Sequence, residues 1–183
     1  MRPAAEVQPL SFGDPVAAQT QWTPLVKGGA NFTTHRLVDL GPRRVEMKPT
    51  LGLRAFGGVF LVVGVIVSVV GLIAIEWFPT LFGLPFAAIG AWVLWPKPLV
   101  FDGEARVFTR RQGQVPFSAI HAVQLIRERV TSSEDPDYWS YELNLVLGSG
   151  ERINVVDHAG LSSIRSEAQR LAGLIGCKVW DAA

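Results

Sequence analysis

The apolar positions of this chain fall into two continuous runs, with short alternating stretches on either side. Ala55 to Ile75 carries no charged residue, and Leu81 to Trp95 is similarly apolar. Only Glu76-Trp77-Phe78-Pro79-Thr80 separates them. A helix rises about 1.5 Å per residue and needs ~20 apolar residues to cross ~30 Å of hydrocarbon. The first run has that length, and the second reaches it with help from the linker or from local thinning of the bilayer. It starts too far into the chain, and is too long, for a secretory h-region. The pattern predicts a transmembrane helical hairpin over 55–96, with Pro85 in the first turn of its second helix as a start or a kink.

Before the hairpin, residues 1–26 show no periodicity, and Pro3, Pro9, Pro15 and Pro24 predict an extended, irregular tail. Lys27-Gly28-Gly29-Ala30-Asn31 is a turn signal that lacks the spacing of a phosphate loop. Phe32 to Leu40 and Val45 to Pro49 read as strands around Gly41-Pro42. After the hairpin the period becomes two. Leu99 to Phe101 and Arg106 to Arg110 flank Asp102-Gly103-Glu104, a tight-turn signal, and Gln114 to Phe117 follows as a short strand. Ile120 to Val130 is a longer strand, and Thr131 to Pro136 a polar loop. Trp139, Tyr141, Leu143, Leu145 and Leu147 alternate with Ser140, Glu142 and Asn144, which predicts one buried and one solvent-facing side. Gly148-Ser149-Gly150 turns this strand into Arg152 to Val156. Leu161, Ile164, Ala168, Leu171 and Ile175 mark one face of a closing helix. Ser162 or Ser163 is the predicted N-cap and Gly176 the C-cap, with Val179-Trp180 packing the end down.

The expected fold is an α+β membrane protein. Its β domain comprises 27–54 and 97–183, one antiparallel sandwich or barrel interrupted in sequence by the hairpin, since two strands alone are marginal.

Charge gives the hairpin a direction. Arg36, Arg43, Arg44, Lys48 and Arg54 precede it, Lys97, Arg106, Arg110 and Arg111 follow it, and its loop has neither Lys nor Arg. The positive-inside rule places both termini in the cytoplasm. Trp77 then sits at the distal interface and Trp92 and Trp95 at the cytoplasmic one. Gly57, Gly64, Ser68 and Gly71 share one face of the first helix; Gly83, Ala87 and Ala91, with Gly90 close by, make a small face on the second. Small residues let backbones approach in lipid. Two arrangements use these faces: the helices pack on each other, or one face receives a partner's helix. Neither span holds a buried ionisable residue, which argues against transport.

The remaining composition excludes more than it proposes. The chain has 183 residues and a net charge of +1, with no long basic block, so no nucleic-acid footprint is indicated. Cys177 is the only cysteine, so no intrachain disulfide or cysteine zinc site is expected. His35, His121 and His158 lack metal-ligand spacing. Asp157-His158 resembles part of a relay but lies past a strand end. Glu134, Asp135 and Asp137 lack calcium-loop spacing and read as a solvated loop. Arg110, Arg111, Arg127 and Arg129 serve either lipid headgroups or partner contacts, or orientation alone. No catalytic, cofactor or metal residue is expected, and the chain does not read as an enzyme.

Phe101-Asp102 after the second span, Val115-Pro116-Phe117-Ser118-Ala119-Ile120, the strand Tyr141 to Leu147, Gly150-Glu151-Arg152-Ile153 and a closing helix ending Leu-Ile-Gly carry a resemblance. Over residues 27–181 the chain resembles bacterial pleckstrin-homology-like (PH-like) membrane proteins with a two-helix anchor. That resemblance implies a PH-like sandwich capped by a helix, in the bacterial inner membrane. The wider group includes proteins that assist assembly of photosynthetic complexes, and it brings no catalytic residues. The expected role is a non-catalytic accessory or assembly subunit of a photosynthetic or respiratory membrane complex, in contact with lipids and an integral membrane partner. The alternative is a stand-alone anchored module that binds lipid headgroups or peptides.

Overall fold

The computed structural model describes residues 9–95, 98–131 and 136–183. The acidic pair Glu134 and Asp135, together with Pro3 and Lys97, lies outside these. The chain divides into two compact units, Met1–Lys48 with Pro98–Ala183, and Pro49–Lys97.

The larger unit is built on two sheets. The first has five strands in sequence order: β1 (His35–Gly41), β2 (Arg44–Pro49), β3 (Val100–Asp102), β4 (Val107–Arg110) and β5 (Gly113–Pro116). β2 and β3 are antiparallel neighbours, with Val45 opposite Phe101, although the whole helical unit separates them in sequence. The second sheet holds β6 (Ile120–Val130), β7 (Tyr138–Leu147), β8 (Arg152–His158) and β9 (Lys178–Ala182) in the order β8-β7-β6-β9. Its first three strands are antiparallel, and β9 runs parallel to β6 with Val179 opposite Val123. The core joins Val45, Met47, Phe101 and Phe108 of the first sheet to Val123, Leu125, Leu143 and Leu145 of the second. Helix α4 (Leu161–Ile175) closes it with Ile164, Ala168, Leu171 and Ile175.

Three details differ from the sequence reading. Helix α4 is capped by Gly160, while Ser162 and Ser163 lie inside its first turn and the Ser163 hydroxyl donates to the Gly160 carbonyl at 2.9 Å. Gly176 ends the helix at φ 88°, a left-handed position that suits glycine. Val179-Trp180 belongs to a paired strand, because β6 offers it a free edge. The tail is not irregular throughout: Pro15–Gln19 forms a short helix, α1, whose N-cap Asp14 accepts from the Val16 N–H at 3.0 Å.

The smaller unit is a helical hairpin. Helix α2 (Leu51–Ile73) starts earlier than the apolar run suggests, because Thr50 caps it by accepting from the Leu53 N–H. Helix α3 (Trp77–Leu94) takes in Trp77 to Thr80 of the linker, with Glu76 at its N-cap position. Pro79 is tolerated in its first turn, where N–H groups lack helical partners anyway. Pro85 lies in the interior of α3, not in its first turn. Both helices are long and apolar enough to cross a membrane.

The connection is tight. The Glu76 N–H donates to the Gly71 carbonyl at 2.8 Å and the Ile75 N–H to the Leu72 carbonyl at 3.2 Å, the paired bonds of a Schellman end. Ile75 therefore occupies the left-handed position usually held by glycine, at φ 59°. A left-handed L-residue costs roughly 1–2 kcal/mol, and β-branching adds to the strain. Ile75 is also 92% exposed, so its side chain contributes little packing within the hairpin. We expect Ile75→Gly to stabilise the hairpin by about 0.5–1 kcal/mol, after the extra freedom of glycine in the unfolded chain is counted. Unfolding in detergent, followed by interhelix fluorescence transfer, measures this.

Candidate functional site

The residues that alternate with the β7 core positions were expected to face solvent. They are instead buried: Ser140 is 2%, Glu142 4% and Asn144 0% exposed. The N-terminal segment lies along this outer face of the second sheet and covers it.

The covering begins with an apolar patch. Ala17 packs with Ala122, Val146 and Trp180, and Phe12, Val16 and Trp22 close over them. Phe12 stacks on Trp22 with ring centroids 4.9 Å apart, and Trp22 lies 5.8 Å from Trp180. The Trp22 indole N–H donates to the Ala17 carbonyl at 3.0 Å, which fixes the turn after α1. His121 Nε2 lies 2.9 Å from the Asp14 carboxylate, and this contact holds that carboxyl below its ordinary range.

Beyond the aromatic patch the sheet holds the segment by its main chain. Gln124 Nε2 donates to the Gln21 carbonyl at 3.1 Å, and Arg152 Nη1 to the Thr23 carbonyl at 2.8 Å. The Glu142 carboxylate accepts from the N–H groups of Leu25, at 2.9 Å, and Val26, at 3.2 Å. Glu128 accepts from Gly28 at 3.2 Å and Gly29 at 3.4 Å, and the Tyr138 hydroxyl donates to the Gly29 carbonyl at 2.8 Å. Register explains why these side chains meet. Gln124 sits opposite Asn144, Ile126 opposite Glu142 and Glu128 opposite Ser140, so every second residue of β6 and β7 shares this face. Asn144 Nδ2 donates across it to Gln124 Oε1 at 3.2 Å and along its own strand to Glu142.

The face is acidic and partly desolvated. Burial lowers the affinity of the Arg152 guanidinium for its proton, and Glu142 opposes that. Burial pushes the Asp157 carboxyl from 3.8 up to about 6, with Glu142 and Glu128 adding to the rise and the Asn154 amide reducing it. The folded protein thus binds this proton more tightly than the unfolded chain does. The contribution of Asp157 to stability is greatest below pH ~4 and falls as pH rises through about 6. We expect Asp157→Asn to flatten that slope and to raise stability at pH 8 by roughly 1–2 kcal/mol, a figure reduced for the partial exposure of the group. Denaturant midpoints of both proteins at pH 4 and pH 8 check this.

The other predicted positions are distributed as follows. Gly57, Gly64 and Gly71 are buried in α2, and Gly83 and Gly90 in α3. These faces meet each other within the hairpin: a Cβ on Gly90 would lie 2.6 Å from the Gly57 carbonyl oxygen, and one on Gly83 2.5 Å from that of Gly64. The Ser68 hydroxyl donates to the Thr80 carbonyl at 3.0 Å, and Ala87 lies against Gly64. The contact position is Gly90 rather than Ala91, which is exposed, because seven residues return to the same helix face more closely than eight. Trp77 stands exposed at one end of α3, and Trp92 and Trp95 at the other. Arg110 and Arg111 lie at the β4–β5 turn of the first sheet, whereas Arg127 and Arg129 lie on β6 of the second. Arg127 sits 5.1 Å over the Trp139 ring, and Arg129 pairs with Asp137 at 2.6 Å.

Asp157 and His158 lie within β8 rather than past its end, and strand alternation turns their side chains to opposite faces of the sheet. His158 is fully buried; its Nδ1 accepts from the Gly160 N–H at 3.0 Å, and its Nε2 faces Glu167 at 3.5 Å. Glu167 in turn accepts from the Leu37 N–H at 2.9 Å, so this pair ties α4 to β1. Among the described residues no three His, Cys, Asp or Glu side chains are placed to hold a metal ion. No family model, curated protein or solved structure matches the chain.

Proposed function

We propose that this protein is an anchored, non-catalytic accessory or assembly subunit of a larger bacterial membrane complex. One observation carries the anchoring on which this reading is built: the hairpin turns its small residues inward and leaves its large apolar ones uncovered. Val59, Val62, Ile66, Val70, Ile73, Leu81, Phe82 and Ile89 are all exposed on it. In water, apolar surface of that extent is a liability; in a bilayer it is the solvated face. Both helices then span the inner membrane, and the basic flanks hold the termini in the cytoplasm.

In this reading the β unit is the cytoplasmic part. Two sheets and an amphipathic helix agree with a PH-like sandwich, to which β9 and the sheet-covering segment are additions. Arg127 lies over Trp139 and Arg129 pairs with Asp137, and that pairing weakens the case for a lipid-headgroup site there. A photosynthetic or respiratory complex is the partner class that the sequence resemblance suggests. Purification from native membranes in mild detergent tests the subunit role. A stoichiometric integral membrane partner is expected, and recovery of the chain alone would refute it.

A further inference from the structure

The segment that covers the second sheet leaves the face beneath it incompletely paired. Ser140 Oγ, Asn144 Oδ1 and the Trp180 indole nitrogen are buried there without a hydrogen-bond partner. Their residues are 2%, 0% and 1% exposed, and they span the face from the aromatic patch to the Glu128 end. Buried polar atoms are normally paired, because leaving one unpaired forfeits its hydration. This face therefore has more hydrogen-bonding capacity than its own occupant uses.

The way the occupant is held is equally informative. Gln124, Arg152, Glu142, Glu128 and Tyr138 all bind main-chain atoms, so the grip between residues 21 and 29 does not depend on side-chain identity. Side-chain selectivity enters at two places. Trp22 fills the aromatic socket beside Trp180. Over Ser140 only glycine fits, since a Cβ on Gly29 would lie 2.8 Å from that of Ser140. A groove that binds backbone and selects an aromatic residue and a glycine has the chemistry of a peptide-binding site.

We propose that the outer face of the second sheet is a peptide-binding groove, that residues 12–29 are its resident occupant, and that an extended segment of a partner polypeptide replaces them. The replacing segment carries an aromatic residue and a glycine at the spacing of Trp22 and Gly29. It also supplies a donor for Asn144 and an acceptor for Trp180. The inference deepens the accessory-subunit reading by naming how a partner is gripped. Copurification tests that reading separately, without reference to the groove.

A fluorescent synthetic peptide of residues 9–31 serves as the probe, titrated onto the full-length chain in detergent. The tethered occupant has an effective concentration in the millimolar range, so micromolar peptide should bind the native chain poorly. Gly29→Ala in the chain loosens the occupant and leaves the groove intact, and should tighten peptide binding by about tenfold. Trp22→Ala/Gly29→Ala frees both ends and should tighten it further, and on that released background Glu142→Gln should weaken it, because Glu142 then grips only the peptide. A peptide that itself carries Gly29→Ala should bind about tenfold more weakly than the native peptide. If the double variant does not fold, the Gly29→Ala chain alone decides the question. Equal binding of both peptides, or no gain on the loosened chain, would overturn the proposal.

Discussion

Gly64→Leu is expected to separate the two helices of the hairpin. A Cβ at this position would lie 2.7 Å from the Gly83 carbonyl oxygen and 2.9 Å from the Ala87 Cα. Both are backbone atoms, so no side-chain rotation relieves the clash. The whole contact must open, and the Ser68 hydroxyl loses the Thr80 carbonyl with it. The expected cost is about 3 kcal/mol, at the upper end for overpacking of a close interface. Gly58→Leu provides the control, because nothing lies within 4 Å of a Cβ there. Fluorescence transfer between dyes at the two helix ends should fall for Gly64→Leu and remain unchanged for Gly58→Leu. Close glycine contact is the main attraction available to two helices in lipid, where apolar burial gives no net drive.

Glu142→Ala should strongly destabilise the β unit. It leaves the Leu25 and Val26 N–H groups without their acceptor, removes one of the two acceptors of the Asn144 amide, and takes a favourable carboxylate from Arg152. Removing one member of a buried charged network costs about 3–5 kcal/mol, most of it from groups left behind unpaired. Glu142→Gln keeps the shape and one acceptor, and should cost less than half as much. Hydrogen exchange separates local from global effects: the Leu25 and Val26 amides should lose protection in both variants, whereas those of β7 should do so only in Glu142→Ala.

The parts of this fold that sequence exposes are those whose pattern has a single physical cause. Ala55 to Ile75 is apolar along its whole length, and the run marks α2 to within a few residues. Leu143, Leu145 and Leu147 alternate because β7 is pleated, and Leu161 to Ile175 repeats because α4 turns. The same logic misled at Ser140, Glu142 and Asn144. Polarity there meets the hydrogen-bonding needs of another stretch of chain, not of water, and the two look alike in a single strand. Gln124 and Asn144 on facing strands, both able to donate and accept, form a pattern that suits main-chain binding. The covering segment has no period because it is held through its backbone, which any residue supplies. β9 is not legible in the sequence, because five residues after a helix carry too little pattern to distinguish a strand from a packed end. Spacing in fours from Gly83 leads to Ala91, whereas the helix repeat returns to the same face after seven, at Gly90.

The claim on which the rest depends is that the hairpin crosses a bilayer while the β unit stays on one side. Cysteine labelling with a membrane-impermeant maleimide tests it most directly, in a Cys177→Ser background. One reporter replaces Ile75, exposed in the connection between the helices, and another replaces Ser149, exposed in the β7–β8 turn. In intact spheroplasts the account predicts labelling at position 75 and none at 149, with the pattern reversed in sealed inverted vesicles. Labelling of both positions from the same side would contradict it.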